Sequence, residues 1–354
     1  MTPLKLNKQN VSNKTTYSGY SKPEVYSLLL QSILTKDIHS CCYVSAELLC
    51  TKTELNSIII FIIDTLCTHY HSYNTYYICD IVTKLKALSS LSRRNIPRNP
   101  HAQQYLCEII ILLTTFLKEK DFHEEYIERY SKDMQIVIES ELYNVKVLED
   151  IHIFIHTLFQ DFPFEIQRYL HILYNFIKRG DKQHTIQFAH YLLMNTDIQG
   201  LVSQYEIDYQ FEQACKIDKN DIAVILWKLI IQYIDNKQPE NKQYISDLYF
   251  LYAFNYTKQK RSTRIMMIYN ALLCIVTPKL FKNKEKTVDR AIVEEAKSKI
   301  YIIYDEILGP LISHERVEKQ VEPKVDEYKP VSDQKEKVRH NMDYLKMCIW
   351  GEGE

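Results

Sequence analysis

The stretch DIHSCCYVSAELLCTKTELNSIIIFIIDTL, Asp37–Leu66, places three cysteines ahead of six consecutive apolar residues. A metal site, a membrane segment and the core of a helical protein compete to explain it. At 100° per residue from Ile38, Cys41 falls at about 300°, Cys42 at about 40° and Cys50 at about 120°, with Cys42 and Cys50 about 12 Å apart along the axis. Thiolates that share a zinc ion lie within about 4 Å of one another, because each Zn–S bond is about 2.3 Å. One helix cannot bring these cysteines together. Cys41 and Cys42 instead share the face of Ile38, Ala46 and Leu49 and act as small hydrophobes. The run Ile58–Ile63 stops at Asp64, whereas a spanning helix needs about 20 apolar residues. A helix apolar all round for two turns belongs at the centre of a bundle. Asp37 caps the chain's second helix, and Thr51–Glu54 has the capping-box spacing that opens a third, so adjacent helices fold back as a hairpin. The expected fold is therefore all-α, a multi-helix bundle or irregular α-array of roughly ten or more helices.

Composition narrows the function classes. A chain of 354 residues buries enough surface to fold without a disulfide or metal staple. Its nine cysteines are odd in number and irregularly spaced, which reads as free thiols in a reducing compartment. The net charge of −1 gives no global field toward nucleic acid or lipid, so any such contact rests on a local patch. Six glycines in 354 residues fall far below the average of about 7%. No GxxxxGK[ST], GxGxxG or GxSxG is present, which removes P-loop NTPases, dinucleotide enzymes and α/β hydrolases. No carboxylate pair or nucleophile–base pair stands out, and the expectation is a protein that is not an enzyme and needs no cofactor.

Along the chain, residues 1–20 read as a disordered tail. An N-terminal helical domain is expected over 21–145 and a second over 146–311. Ser21 and Pro23 open the first helix, Ser90–Pro100 is a loop, and Asn99 caps a helix running to about Lys118. An amphipathic helix covers about Asp133–Leu142, and two helices hinged at Asp161–Pro163 are closed by Gly180. Further helices are expected near 182–195, 201–216, 221–235, 240–257, 260–276 and 287–308. The β-branched content of Ile58–Ile63 and Ile136–Ile138 leaves room for a short strand. Residues 312–340 are dense in both charges and read as a linker. The final segment, 341–354, carries Met342, Leu345, Ile349 and Trp350 on one helical face, a candidate partner-binding anchor that docks either in another protein's groove or back onto this chain's own helical body.

Two histidine pairs and two basic clusters are the candidates for chemistry. His152 and His156 have the i, i+4 spacing that lets two imidazoles face one metal; the plain alternative is a pair of boundary histidines beside the stripe of Ile151, Phe154, Ile155 and Leu158. His69 and His71 sit at a helix end. Two basic clusters, Arg93, Arg94 and Arg98 ahead of a helix N-terminus, and Lys258, Lys260, Arg261 and Arg264 at the start of another helix, are candidate phosphate contacts for weak nucleic-acid binding; the plain alternative is a solvated loop and a solvated helix end.

The hairpin YSLLLQSILTKDIHSCCYVSAELLC (Tyr26–Cys50), together with AVILWKLIIQYI (Ala223–Ile234) and RSTRIMMIYNALLCIV (Arg261–Val276), resembles helical proteins of large nucleocytoplasmic DNA viruses. Their first hairpin carries a comparable CYW-AEL run, with Val44 standing here at the tryptophan position. The same hairpin is similar to the helical collar domains of clamp-loader-type AAA+ proteins, which assemble subunits; the ATPase core is absent here. The viral resemblance implies an origin and not an activity, and the collar likeness implies by analogy only an assembling role; the expectation is a viral scaffold or interaction subunit of replication or transcription machinery, in the host cytoplasm or viral factory, with other viral proteins as partners. A virion or capsid-associated structural protein is the alternative, and a metal-dependent enzyme using His152 and His156 is the second.

Overall fold

A computed structural model of the chain describes residues 15–16, 20–51, 55–69, 75–91, 96–115, 132–146, 151–205, 221–278 and 290–318. Among them are fourteen α-helices and no strand, with one isolated antiparallel bridge between Thr15 and Ser21.

Local chemistry sets the helix ends. Helix α1 (Lys22–Thr35) opens on a complete capping box: the Glu24 N–H donates to Ser21 Oγ at 3.4 Å and the Ser21 N–H to Glu24 Oε2 at 3.0 Å. It closes on Lys36 at φ 62°, whose N–H donates to the Ile33 carbonyl. Asp37 then caps α2 (Ile38–Cys50), accepting from the Ser40 N–H at 3.0 Å and the Ser40 hydroxyl at 2.7 Å. Next come α3 (Leu55–His69) and α4 (Thr75–Ser90). A 3-10 turn, Ile96–Arg98, leads to Asn99, whose Oδ1 accepts from the His101 and Ala102 amides at the head of α5 (Pro100–Thr115). Helices α6 (Lys132–Asn144), α7 (Ile153–Leu158) and α8 (Phe164–Arg179) follow. Gly180 at φ 73° ends α8, the left-handed conformation that glycine adopts without Cβ strain. Asp181 caps α9 (Lys182–Met194), Asn195 caps α10 (Thr196–Val202) and Asp221 caps α11 (Ile222–Lys237). The last three are α12 (Lys242–Ala253), α13 (Arg261–Val276) and α14 (Arg290–Glu318).

Two compact units divide the chain, and they interleave: one comprises residues 1–62, 83–116 and 286–354, the other 63–82 and 117–285. In the first, α2 packs against α1, α5 and α14. The cysteines of the opening stretch lie in this core. Cys41 and Cys42 are buried, the Cys42 and Cys107 thiols hydrogen-bond, and the buried Tyr304 phenol lies close to Cys42, Cys50 and Cys107. Glu108 of α5 is held between Lys84 at 3.2 Å and Lys297 of α14 at 2.9 Å. In the second unit α13 packs against α8, α9, α11 and α12. The indole of Trp227 is fully buried, its ring 5.3 Å from that of Tyr249 and 5.6 Å from that of Tyr252.

Several expectations are corrected in detail. Ile58–Ile63 and Ile136–Ile138 lie in α3 and α6, not in strands; Ile58, Ile59, Ile62 and Ile63 are all buried, so packing overrides their β propensity. Of the helix expected over 201–216, residues 206–216 lie outside the described residues; residues 201–202 close the short α10, which begins earlier because Asn195 accepts from the Asp197 and Ile198 amides. Helix α14 continues through Glu318, past the expected change at Leu311. Helix α4 has no counterpart among the expected elements, although Ile78, Ile81, Val82, Leu85 and Leu88 form its buried stripe. No helix among the described residues is long and apolar enough to cross a membrane.

Candidate functional site

The second basic cluster is drawn inward by the local fold. Arg264, one turn into α13, is fully buried. Its Nη1 donates to the carbonyls of Tyr252, at 3.0 Å, and Phe254, which lie at the C-terminal end of α12. Its Nε and Nη2 donate to Asp64 Oδ1 at 3.3 and 3.2 Å. Carbonyls at a helix end have no partner within the helix, and here a guanidinium from the next helix supplies it while an acid of α3 matches its charge. Arg264 therefore leaves the candidate phosphate-binding set: it is enclosed and its donors are in use.

Arg261 is similarly engaged. Its Nη1 lies 3.2 Å from Oδ1 of Asp221, a buried carboxylate that also accepts the Ala223 amide at 3.0 Å and the Tyr256 hydroxyl at 2.7 Å. Burial and this carboxylate together push the Tyr256 phenol well above its usual range. Lys258 is exposed and Lys260 half-buried; burial, then the Arg264 charge, lowers the Lys260 pKa. Of four expected phosphate contacts, the two lysines remain at the surface. Arg98 is exposed on the Ile96–Arg98 turn, whereas Arg93 and Arg94 lie outside the described residues.

The histidine pair does not share a helix face. His152 is the N-cap of α7, at φ −60° and ψ 134°, so the i, i+4 geometry of a continuous helix does not apply to it. Its Nδ1 accepts from the Phe154 amide at 3.1 Å, and its own amide donates to Nδ1 of the buried His171 at 2.7 Å. Accepting through Nδ1 leaves the neutral imidazole with its proton on Nε2. Burial, then Lys178 and Lys237, lowers the His152 pKa. His156 pairs through Nδ1 with Gln167 Oε1 at 3.1 Å. His69 ends α3, and His71 lies outside the described residues. No group of three or more metal-ligating side chains converges among the described residues. Burial pushes the Cys50, Cys67 and Cys274 thiols up to about 12 and Cys41 higher still. Such groups stay protonated near neutral pH and make poor nucleophiles. The C-terminal candidates Met342, Leu345, Ile349 and Trp350 lie outside the described residues.

Three groups absent from the sequence expectations do the positioning: Asp64, Asp221 and His171. Asp221 stands immediately before the apolar run of α11, a cap signal legible in sequence; its link to Arg261 and Tyr256 is not. No protein-family model matches the chain, and no curated protein or solved structure matches it either.

Proposed function

We propose that this protein is a non-enzymatic helical scaffold that binds other proteins, an interaction subunit of the replication or transcription machinery of a large DNA virus. One observation carries the reading. On α6 the large side chains Ile136 and Tyr143 are 63% and 69% exposed, although Ile138 of the same helix is buried. Residues seven apart lie on one helical face, so this helix packs inward on α8 and α9 and presents Ile136 and Tyr143 on its outer side, with the exposed Glu139 and Ser140 between them. Large apolar side chains exposed together and rimmed by polar residues mark contact surfaces. The polar groups that could serve chemistry, Asp64, Asp221, Arg261, Arg264 and His152, hold helix ends in place. The viral setting rests on the resemblance of the first hairpin.

Affinity purification from infected cells tests the proposal, comparing the natural chain with Ile136→Asp/Tyr143→Asp and with a chain ending at residue 340. The expected result is a defined set of viral proteins, one or more of which is lost from the double variant, with thermal unfolding unchanged. Loss of a partner on truncation alone assigns that contact to Met342, Leu345, Ile349 and Trp350. Recovery of no partner by any chain refutes the scaffold reading.

A further inference from the structure

Three helices of the second unit bring an unbalanced positive patch together around His152. Tyr174 and Lys178 are four residues apart on α8, and Tyr233 and Lys237 are four apart on α11, so each lysine lies one turn beyond its tyrosine on the same helical face. The two tyrosine rings meet at 6.2 Å. His152 covers Tyr174 at 4.8 Å and Phe154 stacks on it at 5.3 Å. This aromatic junction fixes the bases of both lysine stems near the imidazole. After the larger effect of burial, both ammonium groups lie near enough to lower the His152 pKa further.

The carboxylates of these helix ends are already matched elsewhere. Glu141 holds Arg179 at 2.8 Å, Asp235 holds Lys242 at 2.8 Å, and Asp181 accepts from His184 at 2.6 Å. Lys178 and Lys237 are exposed and have no carboxylate partner among the described residues. Lys182, exposed at the start of α9 just past the Gly180 turn, adds a third cation to this end of α8. The Nε2–H of His152 adds a neutral donor, and Phe154 and Tyr233 stay half-buried beside it.

We propose that Lys178, Lys237 and His152, on the aromatic junction of Tyr174 and Tyr233, form a contact site for the phosphodiester backbone of a single-stranded nucleic acid. An open surface with solvated lysines holds a small anion weakly. A polymer that presents successive phosphates to spaced cations gains from counterion release, and half-buried aromatic edges suit unpaired bases. The assignment goes beyond the protein-scaffold reading and does not depend on it. It also moves the nucleic-acid contact away from Arg261 and Arg264.

Fluorescence anisotropy with a labelled 20-mer of oligothymidylate, titrated with the full chain across a salt series, tests the site. Lys178→Gln/Lys237→Gln should lower the log–log salt slope by about 1.4, since each single-strand phosphate contact contributes about 0.7, and weaken binding about 25-fold at 0.1 M salt. Lys258→Gln/Lys260→Gln removes the same charge from the rival cluster and should leave most of the affinity intact. Circular dichroism melts should match the natural chain for both variants. Equal losses in the two variants, or no binding by the natural chain at low salt, overturn the proposal. Equal or tighter binding of a duplex overturns the assignment to a single strand, and displacement by submillimolar inorganic pyrophosphate overturns the assignment to a polymer.

Discussion

Removing the guanidinium of Arg264 tests whether this arginine is a structural tie. Arg264→Met keeps most of the stem volume and deletes every donor. The Tyr252 and Phe254 carbonyls lose their donor at the α12 C-terminus, and Asp64 loses its cation. Breaking a buried ion pair from one side costs about 3–5 kcal/mol. The Asp64 side chain is 34% exposed and regains water, which places Arg264→Met near the lower end, about 3 kcal/mol. Arg264→Ala adds a cavity and should cost about 4–5 kcal/mol. Asp64→Asn leaves both carbonyl bonds in place, so about 1–2 kcal/mol is expected. The assay is urea unfolding followed by tryptophan fluorescence in a Trp350→Phe background. With two tryptophans in the chain, that background leaves buried Trp227 as the reporter of the second unit. A loss below about 1 kcal/mol for Arg264→Ala, with nucleic-acid affinity reduced instead, would refute the reasoning: the arginine would then be accessible and functional.

Gly180→Ala meets no atom within 4 Å of the added methyl group, yet φ is +73°; backbone strain alone should cost about 1 kcal/mol in chemical denaturation. The His152 pKa is lower in the folded chain than the ordinary 6.5, so its contribution to stability is full above that value and declines as pH falls from 6.5 through the folded pKa. Protonated imidazole cannot accept the Phe154 amide, so hydrogen exchange at Phe154 should speed up over that window, and His152→Asn, a neutral cap, should remove the dependence. Cys42→Ala should cost about 1 kcal/mol through lost packing, with zinc content unchanged on metal analysis; stoichiometric zinc lost on that substitution would return the cysteines to a metal site.

The helices and their ends were legible because their causes are local. Ser21, Asp37, Asn99 and Gly180 act within a few residues of themselves, and each occupies the end it signals. The buried cysteine face of α2 followed from helical angle alone. Helix α4 was harder to read: its apolar stripe is clear, but tyrosine and β-branched residues dilute helix propensity through its first half. The candidate sites were the least legible. Spacing placed His152 and His156 on one helix, but α7 starts one residue after His152 and converts a supposed ligand into a cap.

What the sequence determined by itself was an all-helical chain with capped ends and apolar faces, since each helix closes its hydrogen bonds four residues away and its stripe repeats every turn. Tertiary structure decided which polar groups remain available. Arg264 meets Asp64 across 200 residues of chain and Arg261 meets Asp221 across 40. Lys178 and Lys237 remain unmatched because the acids near them face other cations. Whether a charge is buried, paired or free depends on what distant helices pack against it, and no local spacing records that.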